Sequence, residues 1–153
     1  MKKHFIMSIA FLVGMLLAAS ISFAQQKSGY KAHNYKLRNI NAQGEILDEH
    51  GTKLGYISKE DIVYNNEGKK LGFIENGKVY DADGKPLGKA KKNGSYYNNQ
   101  GENVVTVKGN SEICEILDPE GHKKGTVHKN YKLHACAAHC FFLEQEMKKE
   151  EDK

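Results

Sequence analysis

Between residues 44 and 127 the hydrophobic and polar positions fall into a unit that returns five times. Its anchor is a quartet of Asp or Asn, two mostly polar residues and Gly. It reads Asp48-Glu49-His50-Gly51, Asn65-Asn66-Glu67-Gly68, Asp81-Ala82-Asp83-Gly84, Asn98-Asn99-Gln100-Gly101 and Asp118-Pro119-Glu120-Gly121, the glycines 17, 16, 17 and 20 residues apart. Asp or Asn in the first place can bond backbone two residues on, and Gly in the fourth accepts a positive φ, so each quartet predicts a type I turn. Five and four residues before each Gly stand Ile46-Leu47, Val63-Tyr64, Val79-Tyr80, Tyr96-Tyr97 and Ile116-Leu117, which are strand formers. Three after it come Leu54, Leu71, Leu87, Val104 and Lys124, and six after it Ile57, Ile74, Ala90, Val107 and Val127. Each unit therefore predicts a β-hairpin around a four-residue loop.

A second glycine follows the turn by four residues at Gly55, Gly72, Gly88 and Gly125, with Val105 in the fourth unit. Residues three and six after the turn would face opposite sides of a regular strand, so a bulge at this glycine would turn both inward. The alternative is that the glycine makes room for a neighbouring unit's backbone. Linkers such as Glu75-Asn76-Gly77-Lys78 and Lys92-Asn93-Gly94-Ser95 are polar and turn-like. A lone hairpin is marginal in water, and radial closure of five leaves no long unpaired edge. The expected fold class is mainly β, with five short β-hairpins in a radial ring.

With its five units of the type Val79-Tyr80-Asp81-Ala82-Asp83-Gly84-Lys85-Pro86-Leu87-Gly88 behind an apolar leader, the sequence resembles the exported bacterial five-fold β-flower family. The resemblance spans Gly44 to Val127. It implies the ring fold and an exported protein, and, since the family is of unknown function, no catalytic residues. Unit four departs from the pattern by lacking the second glycine, and unit five by its longer spacing and Lys124 in place of Leu.

The flanks read differently. Met1-Lys2-Lys3-His4, an apolar run from Phe5 to Ala19, and Ser22 and Ala24 before Gln25 make residues 1–24 a secretory signal peptide. The run is short of the roughly 20 apolar residues that a membrane span needs, and no cysteine stands at the cleavage point for a lipid anchor. The expected product is periplasmic or extracellular, without a membrane span. Residues 25–43 are polar, with one strand expected. Leu133, Cys136, Ala137, Cys140, Phe141 and Met147 recur at three and four residues, predicting an amphipathic α-helix over residues 130–149, capped by Asn130 and packed on the ring, before a disordered tail at 150–153.

Composition narrows function by exclusion. The chain has 153 residues, 39% hydrophobic and 9% aromatic, no Trp, and a formal net charge of +4 that falls to +2 when Lys2 and Lys3 leave with the leader. Such a charge is too mild for a nucleic-acid groove. No nucleotide loop or nucleophile elbow is present, so the expectation is a non-enzymatic structural or binding module without cofactor, whose partner is an envelope protein or glycan.

Two constellations remain as candidate chemistry. His134, Cys136, His139 and Cys140 fall within seven residues and carry donors that zinc or copper would choose, which would make a small metal-binding or redox protein. The competing reading makes Cys136 and Cys140 core residues, or pairs one of them with Cys114 in a disulfide, because two cysteines four apart on a helix are poorly placed to bond each other. Tyr64, Tyr80 and Tyr97 share one repeat column and offer an aromatic ligand face for a glycan, or else a packing layer.

Overall fold

The computed structural model of the chain describes residues 37–143. The signal peptide expected over 1–24, the start of the polar segment and the end of the helix with its tail lie outside the described residues. Eleven short strands follow one another: β1 (Arg38–Ile40), β2 (Glu45–Leu47), β3 (Lys53–Ile57), β4 (Ile62–Asn65), β5 (Lys70–Glu75), β6 (Lys78–Asp81), β7 (Pro86–Ala90), β8 (Tyr96–Asn98), β9 (Asn103–Lys108), β10 (Ile113–Leu117) and β11 (Lys123–His128). Each pairs with its neighbour in the chain, and β1 pairs with β11 to close a barrel. The five expected hairpins are β2–β3, β4–β5, β6–β7, β8–β9 and β10–β11. The strand expected in the polar segment is β1, and it makes the strand number odd. An odd number of alternating strands cannot close without one parallel pair, and that seam sets Arg38 opposite Gly125 and Ile40 opposite Val127.

The five turns are built alike, as their residues require. The Gly N–H of each returns to the carbonyl of the quartet's first residue at 3.0–3.2 Å, with glycine φ between 78° and 88°. In the first turn Asp48 Oδ1 accepts from the N–H of His50 at 2.9 Å and of Thr52 at 2.8 Å. Asn65, Asp81 and Asn98 repeat the pattern. These side chains do by short-range bonding what a longer loop would have to do by packing.

Beyond each turn the register slips by one residue, leaving Leu54, Leu71, Leu87, Val104 and Lys124 as the extra residue of a bulge. The slip occurs at Val104 although Val105 replaces the glycine, so the bulge does not depend on glycine. Close approach does. Gly55, Gly72 and Gly88 lie opposite Asn65, Asp81 and Asn98 of the next hairpin, and a Cβ on them would strike the carbonyls of Tyr64, Tyr80 and Tyr97. The equivalent pairing of Val105 with Asp118 is absent, since β9 and β10 pair only from Thr106 and Leu117 onward. There a valine fits, 2% exposed.

Inward residues form the core: Ile46, Val63, Val79, Tyr96 and Ile116 from the first strands, and Ile57, Ile74, Ala90 and Val127 from the second. Val107 is only partly buried. After β11 comes a 3-10 helix over Lys129–His134, then helix α1 over Ala135–Phe142. His128, not Asn130, is the cap: its Nδ1 accepts from the Asn130 N–H at 3.3 Å. The helix also differs from the amphipathic one expected. Seven of its eight residues are buried, it contacts β1 and β9 on different sides of the ring, and its Phe142 and Phe141 reach Gly55 and Gly72. It lodges inside the ring instead of laying one face on it, which is why its small residues Ala135, Cys136, Ala137, Ala138 and Cys140 occur on every side. Among the described residues no helix is long and apolar enough to cross a membrane.

Candidate functional site

The linker between β3 and β4 turns at Asp61, whose N–H bonds the Ser58 carbonyl at 3.1 Å and whose φ is +60°. Its Oδ1 lies 2.8 Å from His134 Nε2. An ionised carboxylate only accepts, so Nε2 carries the hydrogen. Nδ1 of His134 is buried with no hydrogen-bond partner among the described residues, and Tyr131 meets the imidazole edge-on at 5.6 Å. The His134 side chain is 8% exposed and that of Asp61 48%, so a buried base steadies a half-exposed acid. Asp61 lines a cleft of about 450 Å³ at this end of the ring, with Ile74 and Ala90 from the strands, Lys91 and Lys92 from the next linker but one, and Leu133 from the 3-10 helix.

The His/Cys cluster is not gathered into a metal centre. His134 is committed to Asp61, and Cys136 Sγ faces the Leu133 carbonyl at 3.6 Å. Burial pushes the Cys136 thiol up to about 12, so the thiolate that a metal requires is disfavoured. His139 and Cys140 are buried within α1. The expected disulfide from Cys114 to Cys136 or Cys140 is not formed; all three cysteines are buried thiols. Cys114 Sγ instead faces the carbonyls of Gly109 and Ser111 at 3.3 and 3.4 Å, in the loop before β10.

The three donors that do come together among the described residues are Asp118, Glu120 and His122 in the fifth turn, all within 4.8 Å of one another. Lys124 Nζ stands 3.1 Å from Asp118 Oδ2, the same oxygen that His122 Nδ1 reaches at 3.1 Å, so a lysine already offsets the charge of Asp118. Burial opposes ionisation of Asp118, yet the His122 N–H and the Lys124 ammonium hold its carboxyl below the usual carboxylate range.

Tyr64, Tyr80 and Tyr97 point out of the barrel, each in a different seam between hairpins. Tyr64 stacks on Tyr56 with centroids 5.2 Å apart, and Tyr80 on Phe73 at 4.8 Å. Lys53 lies over Tyr56, Lys70 over Phe73 and Lys91 over Tyr97, at 5.2, 4.3 and 4.6 Å. The column is thus a set of separate outer stations and not one continuous ring.

Of the candidate metal, disulfide and ligand-face residues, His134 alone is tied to the cleft, through its bond to Asp61. In register with the turns, Asp61 has no equivalent that marks it out. Aligning the linkers sets Asp61 against Gly44, Gly77 and Gly94, and would have exposed it. A family model described as 5-fold beta-flower protein matches residues 26–144. No curated protein and no solved structure matches the chain. Since that model covers well over half of the chain, and five hairpins close into one barrel, the protein belongs to the 5-fold β-flower family.

Proposed function

We propose that the protein is an exported, non-enzymatic binding module that meets an envelope glycan with the outer wall of its ring. The observation that carries this reading is the set of three neighbouring seams in which a tyrosine, paired with an aromatic or a lysine, stands outside the barrel. Core side chains and α1 fill the inside, so what the repeat multiplies is its exterior. Aromatic faces take the apolar C–H face of a sugar ring, and a lysine beside each suits acidic substituents.

A glycan array probed with the purified protein tests this. Binding to acidic polysaccharides that Tyr80→Ala weakens about tenfold, roughly the 1.4 kcal/mol that one good aromatic contact is worth, supports it; an array without signal refutes it. Export is tested separately by mass spectrometry of the protein from its native host, where a chain beginning at Gln25 is expected.

A further inference from the structure

Four successive linkers share one backbone place, occupied by Gly44, Asp61, Gly77 and Gly94. All four have positive φ, at 77°, 60°, 75° and 93°. The N–H groups of Gly44, Asp61 and Gly94 close turns onto Asn41, Ser58 and Lys91 at 3.1, 3.1 and 2.9 Å, and the carbonyls of Gly44, Asp61 and Gly77 accept from Ile57, Ile74 and Ala90. The position asks for glycine, and three linkers supply it. The second carries instead an L-residue in the left-handed region, a conformation disfavoured for all side chains and least so for Asp and Asn. Side chains kept in such geometry are concentrated at binding sites. This one is also fastened by the buried His134 at 2.8 Å and opens on the cleft. By contrast, Asn76, the other non-glycine with positive φ among the described residues, belongs to an ordinary Asn-Gly turn.

We propose that this cleft binds a small zwitterion, an amino acid or short peptide with free termini. Asp61 takes the ammonium group, Lys92 the carboxylate, and Ile74, Ala90 and Leu133 an aliphatic side chain. Lys92 is exposed, and no carboxylate partner is found for it among the described residues, whereas the Lys91 ammonium sits over Tyr97. A simple anion would be repelled by Asp61 and a simple cation by the lysines. The cleft volume lies in the range of small-molecule sites. The inference is independent of the glycan reading, which uses the outer wall.

The test is calorimetric titration of the purified protein with alanylalanine and with free L- and D-amino acids, followed by the N-acetylated and C-terminally amidated dipeptides. Saturable binding of the free dipeptide is expected, weakened about tenfold or more by either cap, as befits loss of a hydrogen bond to a charged group. In Asp61→Asn, which tolerates the same backbone and keeps an oxygen for His134, free and acetylated dipeptides should bind alike. In Lys92→Gln, an exposed change that leaves folding alone, the acid and the amide should. No saturable binding of any free amino acid or dipeptide, or equal binding of capped and free forms by the parent protein, would overturn the proposal. The capped series and Lys92→Gln decide it even if Asp61→Asn fails to fold.

Discussion

The two rims of the ring are made of the same number of chain reversals and behave oppositely. On the turn rim, five glycines at 51, 68, 84, 101 and 121 have open space where a Cβ would stand. Each turn is satisfied by its own Asp or Asn, so the five stay alike. On the linker rim a Cβ on Gly44 would meet the Tyr131 ring at 2.7 Å, and one on Gly94 would strike Val107. There the 3-10 helix crosses, Asp61 reaches His134 and the cleft opens. The repeat sets geometry at both ends, and the end crossed by the 3-10 helix becomes the more asymmetric. Specific chemistry needs that asymmetry.

Cutting the chain before Asn130 should do the most to break this contrast, because it removes α1 and reduces both rims to hairpins around an empty centre. Loss of the cooperative thermal transition and binding of an apolar dye are expected; an unchanged melting curve would mean that the ring holds without its helix. Next comes Gly44→Ala, which combines a disfavoured φ with overpacking against Tyr131 and should cost about 3 kcal/mol. Gly84→Ala, its counterpart on the turn rim, meets only the φ penalty of about 1 kcal/mol. Denaturant titration of the two side by side checks the order.

Alkaline pH probes the centre. Cys136 has its pKa raised to about 12 by burial, so its contribution to stability is whole below the unfolded thiol's value and is lost as pH rises above it. Between pH 9 and 12 that loss should approach about 1.4 kcal/mol per unit, and Cys136→Ala should remove this slope. The smallest effect belongs to the turn rim in acid. The Thr52 N–H holds the Asp48 carboxyl below the usual range, as hydrogen bonds and Lys124 do for Asp118 against its burial. A depressed carboxylate stabilises above its unfolded pKa and loses that contribution as pH falls through the folded one. Melting temperature should therefore begin to drop only below about pH 4, and Asp48→Asn should blunt the drop.

What could be read from the sequence was what repeats locally. The quartets, the alternating columns and the bulges all arise within about 17 residues of chain, where turn chemistry and strand period suffice. The position of α1 could not be read that way. Cys136, Ala137 and Cys140 recur at helical spacing and read as one apolar face, and only a closed ring requires Ala135 and Ala138 to be buried as well. The thiol of Cys114 turns to its own loop, which no count of cysteines foretells. Asp61 is a lone acid in a polar linker, and nothing local marks it until its glycine siblings and His134 stand beside it.

The parallel seam between β1 and β11 has a consequence in time. It joins residues 87 apart, Arg38 to Gly125, so the first strand has no partner on one edge until almost the whole chain has emerged. Contacts between such distant residues slow folding, because the intervening loop must be closed before the contact repays it. α1 contacts β1 at this seam, so closing the ring and burying the helix support each other. Until that seam joins, an incomplete chain keeps exposed strand edges at both β1 and its last strand.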